Sequence, residues 1–174
     1  MPKTWVVADT HFGHDNIIYY ENRPFKDKYE MNEKLIENWN SVVAPDDVVY
    51  HLGDVIFGGS RALEAILPRL NGYKILRKGN HDYRFSDRKL LKYFDEVYGD
   101  DILLDDLCLS HYPLDDETMK KLMYLGIIKG NVHGHVHSKI DNLDQSKYFC
   151  VSVELTDYRP LDFDEVKKHF GIES

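Results

Sequence analysis

The sequence predicts an α/β fold in which two packed sheets are flanked by helices, rather than a single doubly wound sheet. Short apolar runs rich in β-branched residues alternate with helical patterns over the first half of the 174-residue chain. The second half contains mostly short strands with one helix among them, and a last helix follows. No repeat, low-complexity tract or Gly/Ser linker divides the chain. We therefore expect a single domain over residues 1–174, since a chain of this length can bury about 70% of its unfolded surface.

The first half is predicted to contain three buried strands with helices between them. Each strand is a short apolar run, and the three runs lie within 3–9, 47–52 and 74–76. The first long helix is predicted from apolar residues that recur on one face, and Pro45 ends it because proline cannot continue a helix. That face comprises Met31, Leu35, Ile36, Trp39, Val42 and Val43. A second helix begins with Ser60 as its N-cap, and Ser86 caps a short helix that reaches Phe94.

In the second half, residues 95–110 are predicted to form two or three short strands separated by acidic turns. A helix follows over 115–125, with Gly126 as the residue just beyond its carboxyl end. Asp162 and Glu165 resemble a capping box for the last helix. The remaining strands are predicted over 131–136 and 147–155.

Charge and composition exclude several functional classes. With 22 Lys+Arg against 30 Asp+Glu, the net charge of −8 argues against an extended nucleic-acid ligand, which requires clustered basic residues. No apolar run approaches the roughly 18 residues of a membrane span, and the start of the chain lacks the apolar segment of a secretory signal. Two cysteines cannot form a disulfide framework. We therefore expect a cytoplasmic protein with reduced thiols and no membrane partner.

Polar side chains follow five of the predicted strands at the point where each strand ends. Because ligand sites in α/β sheets gather beyond the carboxyl ends of strands, we expect these side chains to lie together. One such residue is usually a cap or a turn residue, but five strand ends of the same kind are not explained by turns alone. The segments are Asp9–His11, Gly53–Asp54, Gly79–Asp82, Ser110–His111 and His133–His137.

The residue types at these strand ends are the donors of a metal site. Asp offers carboxylate oxygen, His offers imidazole nitrogen and Asn offers a carbonyl, while no cysteine is among them. This mixed set suits Mn²⁺, Fe or Zn²⁺ better than Cu(I) or Ca²⁺. Six or seven donors suffice for two ions about 3.5–4 Å apart that share one carboxylate. Gly53, Gly79 and Gly134 lie beside the donors, and glycine permits the close backbone approach of a crowded site.

With these residues the chain resembles the calcineurin-like metallophosphoesterase family. The family motifs DxH, GD, GNHD/E, H and GHxH all occur in this order between Asp9 and His137. They are Asp9-Thr10-His11, Gly53-Asp54, Gly79-Asn80-His81-Asp82, His111 and Gly134-His135-Val136-His137. The chain also looks like a compact bacterial or phage-type branch of the family. The segments that carry this closer resemblance are His11–Ile18, Arg23-Pro24-Phe25 and His111-Tyr112-Pro113.

The resemblance implies a four-layer α/β/β/α sandwich of two mixed sheets flanked by helices, with two divalent metal ions at the sheet edges. By this analogy the ligands of the first ion are Asp9, His11, Asp54 and His137. Those of the second ion are Asp54, Asn80, His111 and His135. Asp54 would then bridge the two ions. Mn²⁺ is the expected metal, with Fe, Zn²⁺ and Ni²⁺ as alternatives.

The activity that the resemblance implies is hydrolysis of a phosphoester P–O bond. A hydroxide that bridges the two metals would attack phosphorus in line with the leaving oxygen. His81 would not be a ligand; as an imidazolium it would stabilise the developing charge or protonate the leaving group. Asp82 is the second candidate catalytic residue, because carboxylates commonly orient imidazoles. Its alternative role is that of a turn residue.

Three further residues are candidates for substrate contact. His14 and Asn16 follow the first motif closely, and a place in a helix cap is the alternative for His14. Arg23 is a candidate because its guanidinium can grip two phosphate oxygens. The alternative for Arg23 is a solvated arginine of a loop.

The histidines near the last motif also admit more than one interpretation. His133 alternates with His135 and His137, so all three would point the same way if the segment is extended. His133 would then be a supporting or core residue, and His51 is likewise expected to be structural.

We predict a metal-dependent phosphoesterase that acts on small phosphodiesters or nucleotide-type substrates, including nucleic-acid ends. A short chain with few insertions favours an open site and a small substrate, although the fold does not choose among phosphoesters. The alternatives are a phosphomonoesterase and a non-catalytic protein-binding scaffold on the same fold. A nuclease acting on long DNA or RNA is a third possibility, for which no basic groove is evident. The oligomeric state is left open.

Overall fold

The computed structural model describes residues 1–174 and contains two separate β-sheets. The first sheet has five strands in the spatial order β4-β3-β2-β1-β9. Strands β1 to β4 are parallel, whereas β9 pairs with β1 in the antiparallel sense. The strands are β1 (Thr4–Val7), β2 (Val48–His51), β3 (Tyr73–Arg77), β4 (Glu96–Tyr98) and β9 (Leu161–Asp162).

The second sheet has four strands in the order β5-β6-β7-β8. Strands β6, β7 and β8 are parallel, and β5 is antiparallel to β6. The strands are β5 (Ile102–Leu104), β6 (Leu107–Leu109), β7 (Gly130–His133) and β8 (Tyr148–Cys150). Both sheets are therefore mixed, as predicted.

Helices connect most of the strands. They are α1 (Asp15–Tyr20), α2 (Lys28–Val42), α3 (Ser60–Ile66), α4 (Asp87–Leu90), α5 (Asp116–Tyr124) and α6 (Phe163–His169). Short 3₁₀ turns cover Leu67–Arg69, Asp82–Arg84 and Val153–Leu155. None of the helices combines the length and the apolar composition that a bilayer crossing requires.

The alternation of side chains along β1 separates two layers of the core. Trp5 and Val7 point to the side covered by α2 and α3, whereas Val6 and Ala8 point to the second sheet. The space between the sheets is filled by Val6, Ala8, Leu52, Leu107, Leu109, Val132, Val151, Phe163 and Val166. On the outer face of the second sheet, Met119 of α5 packs with Cys108, Ile128 and Tyr148. The four-layer α/β/β/α sandwich is thereby confirmed.

The helix caps agree with the sequence prediction only in part. Asp162 caps α6, but its carboxylate accepts the amide of Asp164, so the predicted capping box with Glu165 is not formed. Asp115, for which no cap was predicted, accepts a hydrogen bond from the amide of Thr118 and caps α5. Ser86 caps α4, although this helix ends at Leu90 rather than at Phe94. The N-cap of α3 is Gly59 and not Ser60, which is the first helical residue.

Two predicted extended segments are shorter than expected. The strand predicted over 147–155 ends at Cys150, and a 3₁₀ turn follows it. The strand predicted over 131–136 ends at His133. His135 and His137 instead have left-handed backbone angles, with φ of 70° and 53°. The expectation that three alternating histidines point the same way is therefore wrong, because the chain turns sharply after β7.

Candidate metal centre

The polar residues that follow the strands of both sheets converge on one edge of the sandwich. Backbone hydrogen bonds hold the segments together: the amide of Asp9 donates to the carbonyl of Gly53, and that of His11 donates to Asp54. Across the sheets, the carboxylate of Asp9 accepts a hydrogen bond from the backbone N–H of His135 at 2.8 Å. The edges of the two sheets thus meet at a single site.

One group of donors is formed by Asp9, His11 and His137. Their ligand atoms lie within 4.8 Å of one another, although the residues come from opposite ends of the sequence. The Nδ1 atom of His11 is 3.1 Å from Nδ1 of His14, which leaves Nε2 of His11 facing the cluster. We call this group the first cluster.

A second group, called the second cluster, consists of Asp54, His111 and His135, with ligand atoms again within 4.8 Å. The Nδ1–H of His111 donates to the carbonyl oxygen of Leu52 at 2.7 Å, so Nε2 is the ring atom that faces the site. Asn80 belongs to the same group, because its Oδ1 lies 3.0 Å from Nε2 of His111.

Asp54 belongs to the second cluster and also faces the first. Its Oδ2 atom is 3.3 Å from Nε2 of His111 in the second cluster and 3.7 Å from Nε2 of His11 in the first. Its other oxygen accepts a hydrogen bond from the backbone N–H of His81 at 2.9 Å. One carboxylate oxygen thus faces both clusters, as a bridging ligand would.

Two buried atoms of the first cluster that could bind a metal have no hydrogen-bond partner. They are Oδ1 of Asp9 and Nε2 of His11. Because buried polar atoms are almost always satisfied in folded proteins, two unpaired atoms within one cluster require an explanation. A divalent cation satisfies carboxylate oxygen and imidazole nitrogen together. The donor set present therefore fits a metal ion.

Five of the seven predicted ligands have left-handed backbone conformations. The φ angles are 57° for Asp9, 50° for His11, 57° for Asp54, 70° for His135 and 53° for His137. Non-glycine residues rarely adopt such angles, although Asp and His are among those that tolerate them best. Strain of this kind is typical of functional sites, where the surrounding structure holds it in place.

Two glycines allow the segments to approach one another. A Cβ atom at Gly79 would overlap the carboxylate of Asp54 and would lie 2.7 Å from Cε1 of His111. A Cβ atom at Gly134 would lie 2.6 Å from the Cβ of Ala8 and from Oδ2 of Asp9. The close approach predicted at both glycines is therefore confirmed.

Burial and mutual charge shift the pKa values of the carboxylates in opposite directions. Burial raises the pKa of Asp9 to about 6, although His137 and His111 oppose this effect. Burial would also raise the pKa of Asp54, but the hydrogen bond and charge of His111 together hold it well below its usual range. Asp54 therefore remains ionised throughout the neutral range.

The pKa values of the cluster histidines are shifted in two directions, by burial and by neighbouring carboxylates. Burial holds the pKa of His11 well below its usual value, and burial also lowers the pKa of His135. Burial opposes protonation of His111 and His137 as well, but hydrogen bonds to Asp54 and Glu154, together with the negative charges of these carboxylates and of Asp9, outweigh it and raise the pKa of both. A cation bound by these rings requires their neutral form, so metal and protons compete for the site.

His81 lies beside the clusters and is not part of either. Its ring centroid is 5.5 Å from that of His11, and its ring is partly exposed. Next to it, His14 stacks on Phe57 with a centroid separation of 4.1 Å. His14, Asn16 and Phe57 line an open cavity of about 390 Å³ beside the first cluster. The placement of His81, His14 and Asn16 is compatible with the roles predicted for them.

Asp82 makes contacts that differ from the prediction. Its carboxylate accepts hydrogen bonds from the backbone N–H groups of Asp54, Val55 and Gly79 at 2.7–3.1 Å. No hydrogen bond joins it to the imidazole of His81. Asp82 is buried, and it ties the ends of β2 and β3 together instead of orienting the imidazole of His81.

Arg23 likewise differs from the prediction of a phosphate contact. Its guanidinium is completely buried and donates to the carbonyl oxygens of Asp9 and Thr10 and to the carboxylate of Glu154. With all of its groups engaged inside the protein, it offers no exposed donor to a substrate.

Glu154 was not among the candidates, although its carboxylate accepts a hydrogen bond from Nδ1 of His137 at 2.9 Å. Ser152, which was also missed, donates a hydrogen bond to Oδ2 of Asp9. Both residues follow β8, where the sequence shows no family motif. Their contacts join segments that are distant in the sequence, so no local sequence pattern identifies either residue.

The chain is similar to known proteins over nearly its whole length. A model of the calcineurin-like phosphoesterase family matches residues 2–170. An uncharacterized protein of Methanocaldococcus jannaschii is 36% identical, and the match covers 97% of this chain and 91% of that protein. The gene 66 protein of Mycobacterium phage D29 is 31% identical, and the match covers 97% of this chain and 96% of that protein. A solved structure of a protein of unknown function from Aquifex aeolicus is similar with a TM-score of 0.77 at 29% identity, covering 97% and 99% of the two chains.

Proposed function

Because the chain belongs to the calcineurin-like phosphoesterase family and is a metal-dependent phosphoesterase, we propose that it hydrolyses small phosphodiesters or nucleotide-type substrates with two divalent cations. The observation that carries this proposal is the position of Asp54, whose Oδ2 atom faces His111 at 3.3 Å and His11 at 3.7 Å. Mn²⁺ is the proposed metal, with Fe, Zn²⁺ and Ni²⁺ as alternatives, because the donors are a mixture of oxygen and imidazole nitrogen.

The residues of the chain divide between the two ions. Asp9, His11 and His137 would hold one ion, Asn80, His111 and His135 would hold the other, and Asp54 would bridge them. Two such ions would lower the pKa of a bound water and so supply, near neutral pH, the hydroxide needed for attack on phosphorus.

His81 is the proposed catalytic group for the departing oxygen. The backbone N–H of His81 donates to Oδ1 of Asp54, so its loop is fixed directly to the proposed bridging residue. The ring is partly exposed, so a substrate bound beside the clusters would have access to it. As an imidazolium it would stabilise negative charge on the phosphoryl group and give a proton to the leaving alkoxide.

His14 and Asn16 are proposed to contact the substrate next to the first cluster. They line the same open cavity, and Asn16 is exposed. With a volume of about 390 Å³, this cavity has room for a small phosphate ester or a nucleic-acid end, which we propose as the substrate in preference to an extended polymer. The net charge of −8 supports the same preference.

We also propose a cytoplasmic location and no membrane partner. The supporting observation is that Cys108 and Cys150 are free and buried. Burial raises the pKa of the Cys108 thiol to about 12 and that of Cys150 to about 11, so neither is reactive at neutral pH.

A substrate panel assayed with different metals tests the proposed function. The panel compares a bis-aryl phosphate, an aryl monophosphate, cyclic nucleotides and dinucleotides in the presence of Mn²⁺, Ni²⁺, Zn²⁺ or Mg²⁺. We expect turnover of the diesters to exceed that of the monoester, with Mn²⁺ the most effective. Preferential turnover of the monoester would indicate a phosphomonoesterase. No turnover with any metal would overturn the catalytic assignment and favour a protein-binding scaffold.

A further inference from the structure

A buried ion pair connects two distant parts of the sequence behind the first cluster. The Oε1 atom of Glu154 accepts hydrogen bonds from Nη2 of Arg23 at 2.6 Å and from Nε at 2.9 Å. The side chains are 0% and 4% exposed for Arg23 and Glu154, respectively. A buried ion pair contributes little to stability on average, because the loss of hydration offsets the attraction. Its contacts with the metal-ligand segments therefore suggest another role.

Glu154 determines the orientation of one ligand ring. Its Oε1 atom also accepts the Nδ1–H of His137 at 2.9 Å. This hydrogen bond selects the tautomer in which Nε2 carries the free electron pair, and it prevents rotation of the ring. His137 belongs to the first cluster, so the effect is directed to that cluster.

Arg23 holds the backbone of the segment that carries the other two residues of the same cluster. Its Nη2 and Nη1 atoms donate to the carbonyl oxygens of Asp9 at 2.7 Å and Thr10 at 2.8 Å. These carbonyls belong to the segment in which Asp9 and His11 have left-handed φ angles of 57° and 50°. Two fixed donors therefore hold a strained turn that presents two ligands.

The second cluster is supported by a different set of groups. Asp82 accepts from the backbone N–H of Asp54, and the carbonyl of Leu52 accepts from His111. Neither Arg23 nor Glu154 forms a hydrogen bond with a residue of the second cluster. The two clusters thus have separate supports.

We propose that Arg23 and Glu154 are positioning residues that set the affinity of the first metal site and leave that of the second site largely unchanged. The proposal rests on the two-ion assignment made under the proposed function. It replaces the substrate contact expected of Arg23 with a structural role in metal binding. It also assigns a function to Glu154, which belongs to no motif of the family.

The test measures metal affinity at each cluster separately. Mn²⁺ is titrated into metal-depleted full-length protein, and free Mn²⁺ is followed by electron paramagnetic resonance. His135→Ala leaves the first cluster complete, and His137→Ala leaves the second complete. In the His135→Ala background we expect Glu154→Ala to weaken Mn²⁺ binding by about 10–100-fold. In the His137→Ala background the same change is expected to alter the affinity by less than about threefold.

A conservative variant separates positioning from a general loss of structure. In Glu154→Gln the amide oxygen can replace Oε1, and the amide NH₂ can occupy the position of Oε2, which has no hydrogen-bond partner in the folded protein. We expect this variant to recover part of the affinity lost in Glu154→Ala. Glu33→Ala is the matched control, because Glu33 also pairs with an arginine, Arg69, but at the surface. It should leave both affinities unchanged.

Two results would overturn the proposal. One is a loss of less than threefold for Glu154→Ala in the His135→Ala background, and the other is an equal loss in both backgrounds. If Glu154→Ala does not fold, the same comparison is made with Glu154→Gln, for which the larger loss must again be at the first cluster. Because affinity is measured without turnover, failure of the proposed catalysis is detected separately, as a wild-type protein that binds two Mn²⁺ ions but cleaves no ester.

Discussion

The Oδ2 atom of Asp54 lies 3.3 Å from Nε2 of His111, although the two residues follow strands of different sheets. Asp54 follows β2 of the first sheet after Leu52 and Gly53, and His111 follows β6 of the second. The packing of two sheets with their carboxyl ends on one edge is what brings these side chains together. The site is therefore a consequence of the sandwich, and any change that separates the sheets should remove it.

Replacement of His81 should affect substrates according to their leaving groups. We expect His81→Ala to lower kcat for alkyl esters by about 10²–10⁴-fold, because an alkoxide needs a proton to depart. Aryl phosphates should lose much less, because a phenolate leaves without protonation. Steady-state rates on paired alkyl and aryl diesters measure the difference. Equal losses on both substrates would argue against proton donation by His81, and an unchanged metal content is the control.

Removal of the Asp82 carboxylate should destabilise the fold as well as the site. Asp82→Ala leaves the buried backbone N–H groups of Asp54, Val55 and Gly79 without an acceptor. We expect the free energy of unfolding to fall by at least about 3 kcal/mol, because each unsatisfied buried group costs about 1–3 kcal/mol. Urea denaturation in the presence of a chelator measures this, with the exposed Asp141→Ala as control. A loss below about 1 kcal/mol would contradict the role assigned to Asp82.

A methyl group at Gly79 should disrupt the centre directly. The added Cβ of Gly79→Ala would lie 2.6 Å from the backbone nitrogen of Asp54 and would overlap the carboxylate of that residue. We expect activity to fall by about 10²-fold or more, since displacements of about 1 Å have that effect on a catalytic site. Gly59→Ala is the matched control, because no atom lies within 4 Å of a Cβ at that position. Comparable activity of the two variants would contradict the described packing.

The buried imidazole of His51 should make stability depend on pH. Its Nδ1 accepts the N–H of Gly53, and burial lowers its pKa to about 3. The folded protein therefore keeps this ring neutral, whereas the unfolded chain takes up a proton below pH 6.5, the ordinary value. The contribution of His51 is fully present above pH 6.5 and is lost as the pH falls towards 3.

This dependence is isolated by His51→Asn, in which the amide oxygen can still accept the N–H of Gly53. Between about pH 6 and pH 4, the unfolding free energy of wild-type protein should rise with pH more steeply than that of the variant. The difference should be about 1.4 kcal/mol per pH unit, corresponding to one proton. Chemical denaturation of metal-free protein at a series of pH values measures both slopes. Parallel curves would show that His51 is not the titrating group.

Most of the fold and of the two clusters of candidate ligands was predictable, because both depend on local patterns. Apolar runs and helical spacing indicate the strands and the long helix α2, and family motifs mark the strand ends that form the two clusters. The short helix α1 was not predicted, since only Ile17 and Ile18 of its six residues are buried and give it little periodicity.

The supports of the site were not predictable in the same way. Glu154 and Arg23 are 131 residues apart, and their pairing exists only once the sheets have packed. An arginine in this loop is of the right type to bind phosphate. Only the folded structure shows that Arg23 is buried and that its donors are already engaged. The sequence pattern likewise contains no sign of the left-handed angles of His135 and His137 or of the close packing of Gly134 against Ala8.

The number of Mn²⁺ ions bound per chain tests the central claim most directly. Elemental analysis after equilibrium dialysis should give two ions for the wild-type protein. Asp54→Ala should give fewer than one, because the residue that faces both clusters is then missing. A single ion in the wild-type protein, or two ions retained by Asp54→Ala, would contradict a centre in which Asp54 bridges two metals.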